Sequence, residues 1–466
     1  MSMWQWDAAS LARRIREREV SCVEVVQDSL ARVAQVNPRV GALADVCTER
    51  ALSDALKADE MLARGEEVGP LHGVPVTTKV NVDQRGCATT NGVLAYRNVV
   101  AAEDSPVVAN LRRAGAIVVG RNNTPAFSMR WFTDNDVHGR TLNPHDPALT
   151  PGGSSGGAAA AVATGMGAIA HGNDQGGSIR YPAYACGVYG LRPSFGRVPA
   201  YNPSATAPRP TVVQMTSVQG PLARNVADLR LALHAMAARD ARDPWWVPAP
   251  LEIAPVPPSL RVAVLDDIPG MAMDPPVKEA LQRAADALVR AGHQVERACP
   301  PHFQEAAELW LTLTMGESRL LTESTLMRDG DEAIRRAYRA MNHHAKTLDP
   351  AAFSRALASR TDLIRAWSVF FQSYPLLLLP SSCSVPFPVD LDQRGPEAMA
   401  GILQAQSPLL SVAVLGLPGL AVPMGVRRGQ PTGVQLVADR FREDLCLAAA
   451  EVLEREVGAV EVIDPR

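Results

Sequence analysis

The chain predicts an α/β fold, and two stretches carry the prediction. Residues 105–115 have helical character with Gly115 at the end, and the short apolar strand Ala116–Val119 follows directly. That order is half of an α/β unit. Residues 260–297 then read as strand, helix and strand: Leu260–Leu265, Pro276–Ala291 and Gln294–Arg297. With 466 residues, the chain exceeds the roughly 250–300 at which single cores usually stop growing. One large domain with elaborations, or two lobes, is therefore expected.

In chain order, residues 7–36 are expected to be helical. Ser21 and Glu24 form a capping-box pattern, Val25, Val26, Leu30 and Val33 give an apolar stripe, and Asn37-Pro38 should end the helix. Ala51–Ala63 is a second amphipathic helix stopped near Gly65. Within Leu71–Asp83, Val74, Val76, Thr77 and Thr78 favour a strand that delivers Lys79. A lysine buried there would be held neutral by desolvation and would serve as a base; at a strand edge it would simply reach water. After the loop Asn122–Pro125, Met129 and Trp131 stand where a pocket wall or a core would use them.

Further on, a helix is expected over about Asn225–Ala238, then a proline-rich surface stretch over Arg242–Pro258. Residues 300–370 are mostly helical, with Trp310, Met315 and Trp367. His343-His344 reads as a solvated pair, since neighbouring helical residues do not face one way. Strands follow at Tyr374–Pro380, Leu415–Met424 and Thr432–Val437, with a joint at Gly425–Pro431 and a closing helix at Asp444–Glu454.

Composition narrows the function. A net charge of −3 leaves no electrostatic case for nucleic acid or an anionic membrane. The seven cysteines are scattered, odd in number and lack CxxC, so neither a disulfide framework nor a metal site is expected. The N-terminus has no apolar run of the secretory kind, and a cytoplasmic setting with reduced thiols is expected. The most apolar stretch, Ser411–Val426, is broken by Gly416, Pro418 and Gly419 and is too short to span a bilayer.

The chemistry concentrates in Thr150–Pro182. Gly152-Gly153-Ser154-Ser155-Gly156-Gly157 and Gln175-Gly176-Gly177-Ser178 are two glycine-serine turns, joined through the helix-forming run Ala158–Ala163. Glycines beside a serine let backbone N–H groups approach a bound group without a Cβ in the way, and a helix start adds a positive dipole end. One such turn alone reads as a linker; two, joined by a buried-type helix, do not. Serine needs a helper to act as a nucleophile. His171 is nearest in sequence, so a Ser-His-Asp arrangement stays open, although no strand runs straight into Gly152–Gly156 as an elbow requires. No phosphate-binding GxxxxGK[ST] occurs, and Gly165-Met166-Gly167 follows a helix rather than a strand, so no nucleotide cofactor is implied. Arg180 is placed to pair with Asp174 and hold the second turn.

Lysine plus two serines remain, and here the sequence closely resembles the amidase signature family. The matching features are Lys79 after a strand, Pro151–Gly157, Asp174–Arg180 and Pro182. Cys186–Pro199, Gly220–Arg224, Gly416–Pro418 and Pro431–Gln435 resemble the family's later blocks, and the likeness spans about residues 10–455.

The resemblance implies a large central mixed β-sheet covered by helices on both faces. It implies a single domain over 1–466, with a catalytic core at about 65–235 and a mainly helical, substrate-shaping region at about 300–400. Ser178 would be the nucleophile, Ser154 a bridging serine in a cis peptide after Gly153, and Lys79 the base. Backbone N–H groups of Gln175, Gly176, Gly177 and Ser178 would form the oxyanion hole. Met129, Trp131 and the Gln175 side chain are candidates for substrate contact, and Ser155, Asp174 and Arg180 for support.

This chain departs from many members at Val80 (aspartate there), Ala158 (serine) and Gln175 (threonine or isoleucine), none of which removes a triad atom. The implied activity is hydrolysis of a small carboxamide, with anilides, esters or carbamates as further substrates and neither metal nor cofactor. An amidotransferase component that releases ammonia from glutamine for a partner is the alternative. Oligomeric state is left open, a homodimer included.

Overall fold

The computed structural model describes residues 2–466 except 254, 269 and 428. Residue 254 in the proline-rich stretch and residue 428 in the joint before Pro431 thus lie outside the described residues. One mixed sheet organises the rest. Its eleven strands among the described residues are β1 (Leu43–Val46), β2 (Pro75–Lys79), β3 (Ile117–Asn122), β4 (Ile169–Asp174), β5 (Tyr189–Arg192), β6 (Val218–Ala223), β7 (Arg261–Val264), β8 (Gln294–Arg297), β9 (Leu376–Pro380), β10 (Gly419–Arg427) and β11 (Gln430–Ala438). Their order is β1-β3-β2-β4-β6-β5-β10-β11-β9-β7-β8. The pairs β2/β3, β2/β4, β9/β7 and β7/β8 are parallel, and the others are antiparallel.

Period-two alternation explains why helices cover both faces. In β9, Leu376 and Leu378 enter one apolar cluster, with the helices Pro275–Arg290 and Glu443–Val457. Leu377 and Leu379 enter the other, with Phe303–Leu321 and Pro396–Leu415. All four leucines are fully buried, each contributing roughly 1.5–3 kcal/mol. A third cluster holds the helix Gly156–Ala163, whose eight residues are all buried. Only small residues fit there: a Cβ on Gly157 would stand 2.5 Å from both Ala42 O and Asn123 N.

Three readings of the sequence are corrected. The first long helix, Cys22–Val40, has the Ser21–Glu24 capping box but runs through Pro38. It ends at Gly41, whose φ of 63° supplies the left-handed cap. Residues 396–415, given no element above, form a 20-residue helix. It is buried nearly all round over Ala405–Leu415, so no one-sided stripe announces it. It is long and apolar enough to cross a membrane, yet 72% of its apolar window is buried inside the protein. Finally, the late strand expected at Leu415–Met424 starts only at Gly419, after Gly416 (φ 70°) ends that helix.

Candidate active site

Three chain segments meet at the ends of β2 and β4. Strand β2 is interior, between β3 and β4, so its last residue, Lys79, is fully buried. The edge alternative is thereby excluded. The turn Gly152–Ser155 reaches the lysine from one side, and the Gly153–Ser154 peptide is cis. The turn Gln175–Ser178 leaves the end of β4, and Ser155 N donates to Ser178 O at 3.1 Å, tying the two turns together.

The surroundings of the amine assign its hydrogens. Lys79 Nζ lies 2.8 Å from Ser154 Oγ, 3.1 Å from Ser155 Oγ and 2.8 Å from Asn173 Oδ1. Asn173 Nδ2 donates to Asn81 Oδ1, so its Oδ1 faces the amine as an acceptor. Ser155 Oγ donates to Asn173 O at 3.3 Å, so it too accepts from the lysine. A neutral amine has two N–H groups, and these two acceptors use both. In that neutral form the lone pair would be left for the Ser154 hydroxyl. Burial holds the Lys79 pKa well below its ordinary value, with the charge of Asp174 acting the other way.

Asp174 is balanced within its own network. Burial alone would raise its carboxyl, but Arg180 and Arg192 hold it well below the usual range. Arg180 Nε and Nη2 contact its two oxygens at 2.9 and 3.0 Å, and Arg192 Nη1 lies at 3.2 Å. Gly177 N and Ile179 N donate to the same carboxylate, at 2.8 and 3.2 Å. This alters the expected oxyanion hole, because the Gly177 N–H is already engaged. The N–H groups of Gln175, Gly176 and Ser178 have no acceptor among the described residues.

Two tryptophans orient that turn. Trp131 Nε1 donates to Gly176 O at 2.9 Å and Trp310 Nε1 to Gln175 O at 2.7 Å, with their rings 6.1 Å apart. In a trans peptide the N–H points opposite to its C=O, so fixing the Gln175 carbonyl aims the Gly176 N–H away from Trp310.

A cavity of about 230 Å³ opens over Ser154 and Ser178. Ser178 Oγ makes no hydrogen bond to a described residue. Asn81, Asn91, Ser128, Asn173, Gln175 and Gln219 give the cavity a polar wall. Gln175 thus stands on the cavity. Met129 and Trp131 do not line it, because the indole N–H of Trp131 is committed to Gly176 and Met129 packs into the apolar cluster of the helical region. Phe127 and Ser128 supply that loop's contribution instead.

His171 is brought near but faces another way. Its Nε2 donates to Gln219 Oε1 at 2.7 Å, and its Nδ1 accepts from Lys79 N at 3.3 Å, so both ring nitrogens are spent in the sheet. Burial, helped by Lys79 and opposed by Gln219, brings its pKa down to about 4. Between pH 4 and 6.5 the unfolded chain therefore binds more protons at His171 than the folded one, and acidification through that window destabilises the fold. The expected loss is about 3 kcal/mol. Urea unfolding of wild type and His171→Gln at pH 6.5 and pH 4 measures it; identical pH dependence in the two proteins would refute the assignment.

Asn173, Gln219 and Trp310 went unrecognised in the sequence. One signal was present: His171, Asn173 and Gln175 alternate, as residues on one side of a strand do. Glycine at 172 and the polar residues hid β4 from propensity.

The Amidase family model matches residues 24–447, and the chain belongs to that family. It is a hydrolase of amide C–N bonds. The indoleacetamide hydrolase of Bradyrhizobium diazoefficiens is 46% identical over 461 residues, covering 98% of this chain and 88% of that protein. The A-type component of the glutamyl-tRNA(Gln) amidotransferase of Cyanothece sp. is more distant, at 30% over 476 residues and 96% of each chain. Among solved structures, 6-aminohexanoate cyclic dimer hydrolase in complex with its substrate superposes with a TM-score of 0.86 at 27% identity, covering 100% of this chain and 99% of that one.

Proposed function

We propose that Ser178 attacks the amide carbonyl, with Ser154 passing its proton to Lys79. The observation that carries this reading is the buried Lys79 amine, its pKa held well below the ordinary value, 2.8 Å from Ser154 Oγ beside a cavity that contains Ser178. Ser178 Oγ forms a bond to the carbonyl carbon while its proton moves to Ser154 Oγ, and the Ser154 proton moves to Lys79 Nζ. The oxyanion takes the N–H groups of Gln175, Gly176 and Ser178, each worth about 2.7–4 kcal/mol to the barrier in comparable sites. The relay then returns a proton to the leaving nitrogen as the C–N bond breaks. Water releases the acyl group from Ser178 by the same path in reverse.

The substrate class we infer is a small primary amide with an aryl-alkyl acyl group, supported by the 46% identity to an indoleacetamide hydrolase. An acyl-enzyme forms equally from anilides, esters and carbamates, which belong in the same panel. Purified protein is expected to turn over indole-3-acetamide and phenylacetamide, and a fluorophosphonate is expected to label the Ser178 peptide in mass spectrometry. Labelling elsewhere, or inertness towards every arylacetamide, would sink the reading. Because the base works only when deprotonated, kcat/KM should rise with pH through an apparent pKa well below the ordinary lysine value of about 10.4. A flat profile from pH 5 to 9 would contradict a lysine base.

A further inference from the structure

The cavity over Ser178 has one formally charged side chain in its described wall, Arg209, and no carboxylate. Its guanidinium makes a single long hydrogen bond, from Nη2 to Val213 O at 3.4 Å, and no described carboxylate lies within pairing distance. Asp243 is the acid that acts on it electrostatically, but the Asp243 oxygens are engaged by Ala200 N at 2.7 Å and Trp245 N at 2.9 Å. Arg180, Arg192 and Arg197, all buried, each bond to a carboxylate. Arg209 is the contrast: it is half-buried, desolvation pushes its pKa down with Asp243 opposing, and most of its five donors have no acceptor among the described residues. A second cavity, also about 230 Å³, adjoins the first. Phe195, Tyr201 and Trp245 contribute aromatic wall to it, and Arg209 lines both compartments.

We propose that Arg209 is an anion subsite, and that the enzyme takes amides carrying a carboxylate at the end remote from the scissile bond. The inference rests on the reading of Ser178 as the reacting group in the same cavity. A half-buried guanidinium without a carboxylate partner among the described residues gains most from a planar acceptor that offers two oxygens. The polar wall between Arg209 and Ser178 suits the body of such a substrate less than the aromatic compartment does, which places an aryl ring against Tyr201 and the carboxylate on Arg209.

The test compares a matched pair, 4-carboxyphenylacetamide and phenylacetamide. Wild type is expected to prefer the carboxylated amide in kcat/KM. Arg209→Met is expected to lower the ratio of the two kcat/KM values by at least about tenfold, with the loss carried by KM, and Arg209→Lys to recover part of it. A second measurement needs only wild type. 4-Carboxyphenylacetate should inhibit at a concentration at least about tenfold lower than phenylacetate, and added NaCl should weaken that advantage. Equal inhibition by the two acids, no preference in wild type, or an unchanged ratio in Arg209→Met would each overturn the subsite while leaving Ser178 in place. Retained turnover in Ser178→Ala would instead remove the reading on which the subsite rests.

Discussion

Ser178→Ala is expected to lower kcat for phenylacetamide by about 10⁴-fold or more, with the fold and its urea midpoint essentially kept, because Ser178 stands partly exposed on the cavity wall and its Oγ makes no hydrogen bond to a described residue. Ser154→Ala and Lys79→Met should fall in the same range, since each interrupts one proton path. Members of a single relay are not additive. The double variant Ser154→Ala/Ser178→Ala is therefore expected to be no slower than Ser178→Ala alone. Single-turnover kinetics on the four proteins decide it. If the double variant is slower by the product of the two single effects, Ser154 and Ser178 act independently and the relay fails. Asn173→Ala sharpens the assignment of hydrogens on Lys79. Without the Asn173 acceptor the amine is free to turn away from Ser154, so a loss in kcat larger than in KM is expected.

The largest effect on stability should come from Asp174. Asp174→Asn leaves Arg180 and Arg192 buried beside a neutral amide, and removing one member of a buried ion cluster typically costs about 3–5 kcal/mol. The sign with pH follows from the depressed carboxyl. Its stabilisation is present above the unfolded aspartate value of about 3.9 and is lost as pH falls below it, so wild type and variant should differ fully at pH 7 and converge under strong acid. Equilibrium urea unfolding at pH 7 is the measurement, and a difference under about 1 kcal/mol would contradict the network. The same variant loses the acceptor of Gly177 N, so the turn carrying the oxyanion donors loosens as well.

Much of the site was written in short stretches of the chain. Glycine-serine turns are local patterns, and the strand propensity before Lys79 needs only its neighbours. Asp174 and Arg180 are six positions apart, within reach of one turn, and their pairing was legible for that reason. The roles of Ser154, Ser178 and Lys79 came through family resemblance, since the residues themselves left a histidine base open. Packing closed that alternative: Gln219, 48 positions away, engages His171 across paired strands.

Other features depend on chain that is distant in sequence. Trp310 bonds to Gln175 across 135 positions, and Arg180 reaches Gln435 across 255. The long buried helix Pro396–Leu415, which supplies Leu409 O to Arg180 and Ala413 O to Arg192, has no one-sided apolar stripe to reveal it. Met129 and Trp131 show the same dependence. Their type suited a pocket wall or a core, and only the position of the turn put the indole against Gly176 O.

The sequence by itself determined the α/β class and the two glycine-serine turns, because propensity and glycine freedom act over a few residues, while the roles of Lys79, Ser154 and Ser178 came only through the family resemblance of the motifs around them. Only the tertiary structure decided that Lys79 is buried with its pKa held down, which side chains surround its amine, and that the Gly177 N–H is engaged while Arg209 has no carboxylate partner among the described residues. Each of those depends on burial and on acceptors brought from elsewhere in the chain. Desolvation and hydrogen-bond partnership belong to the packed structure and leave no local mark.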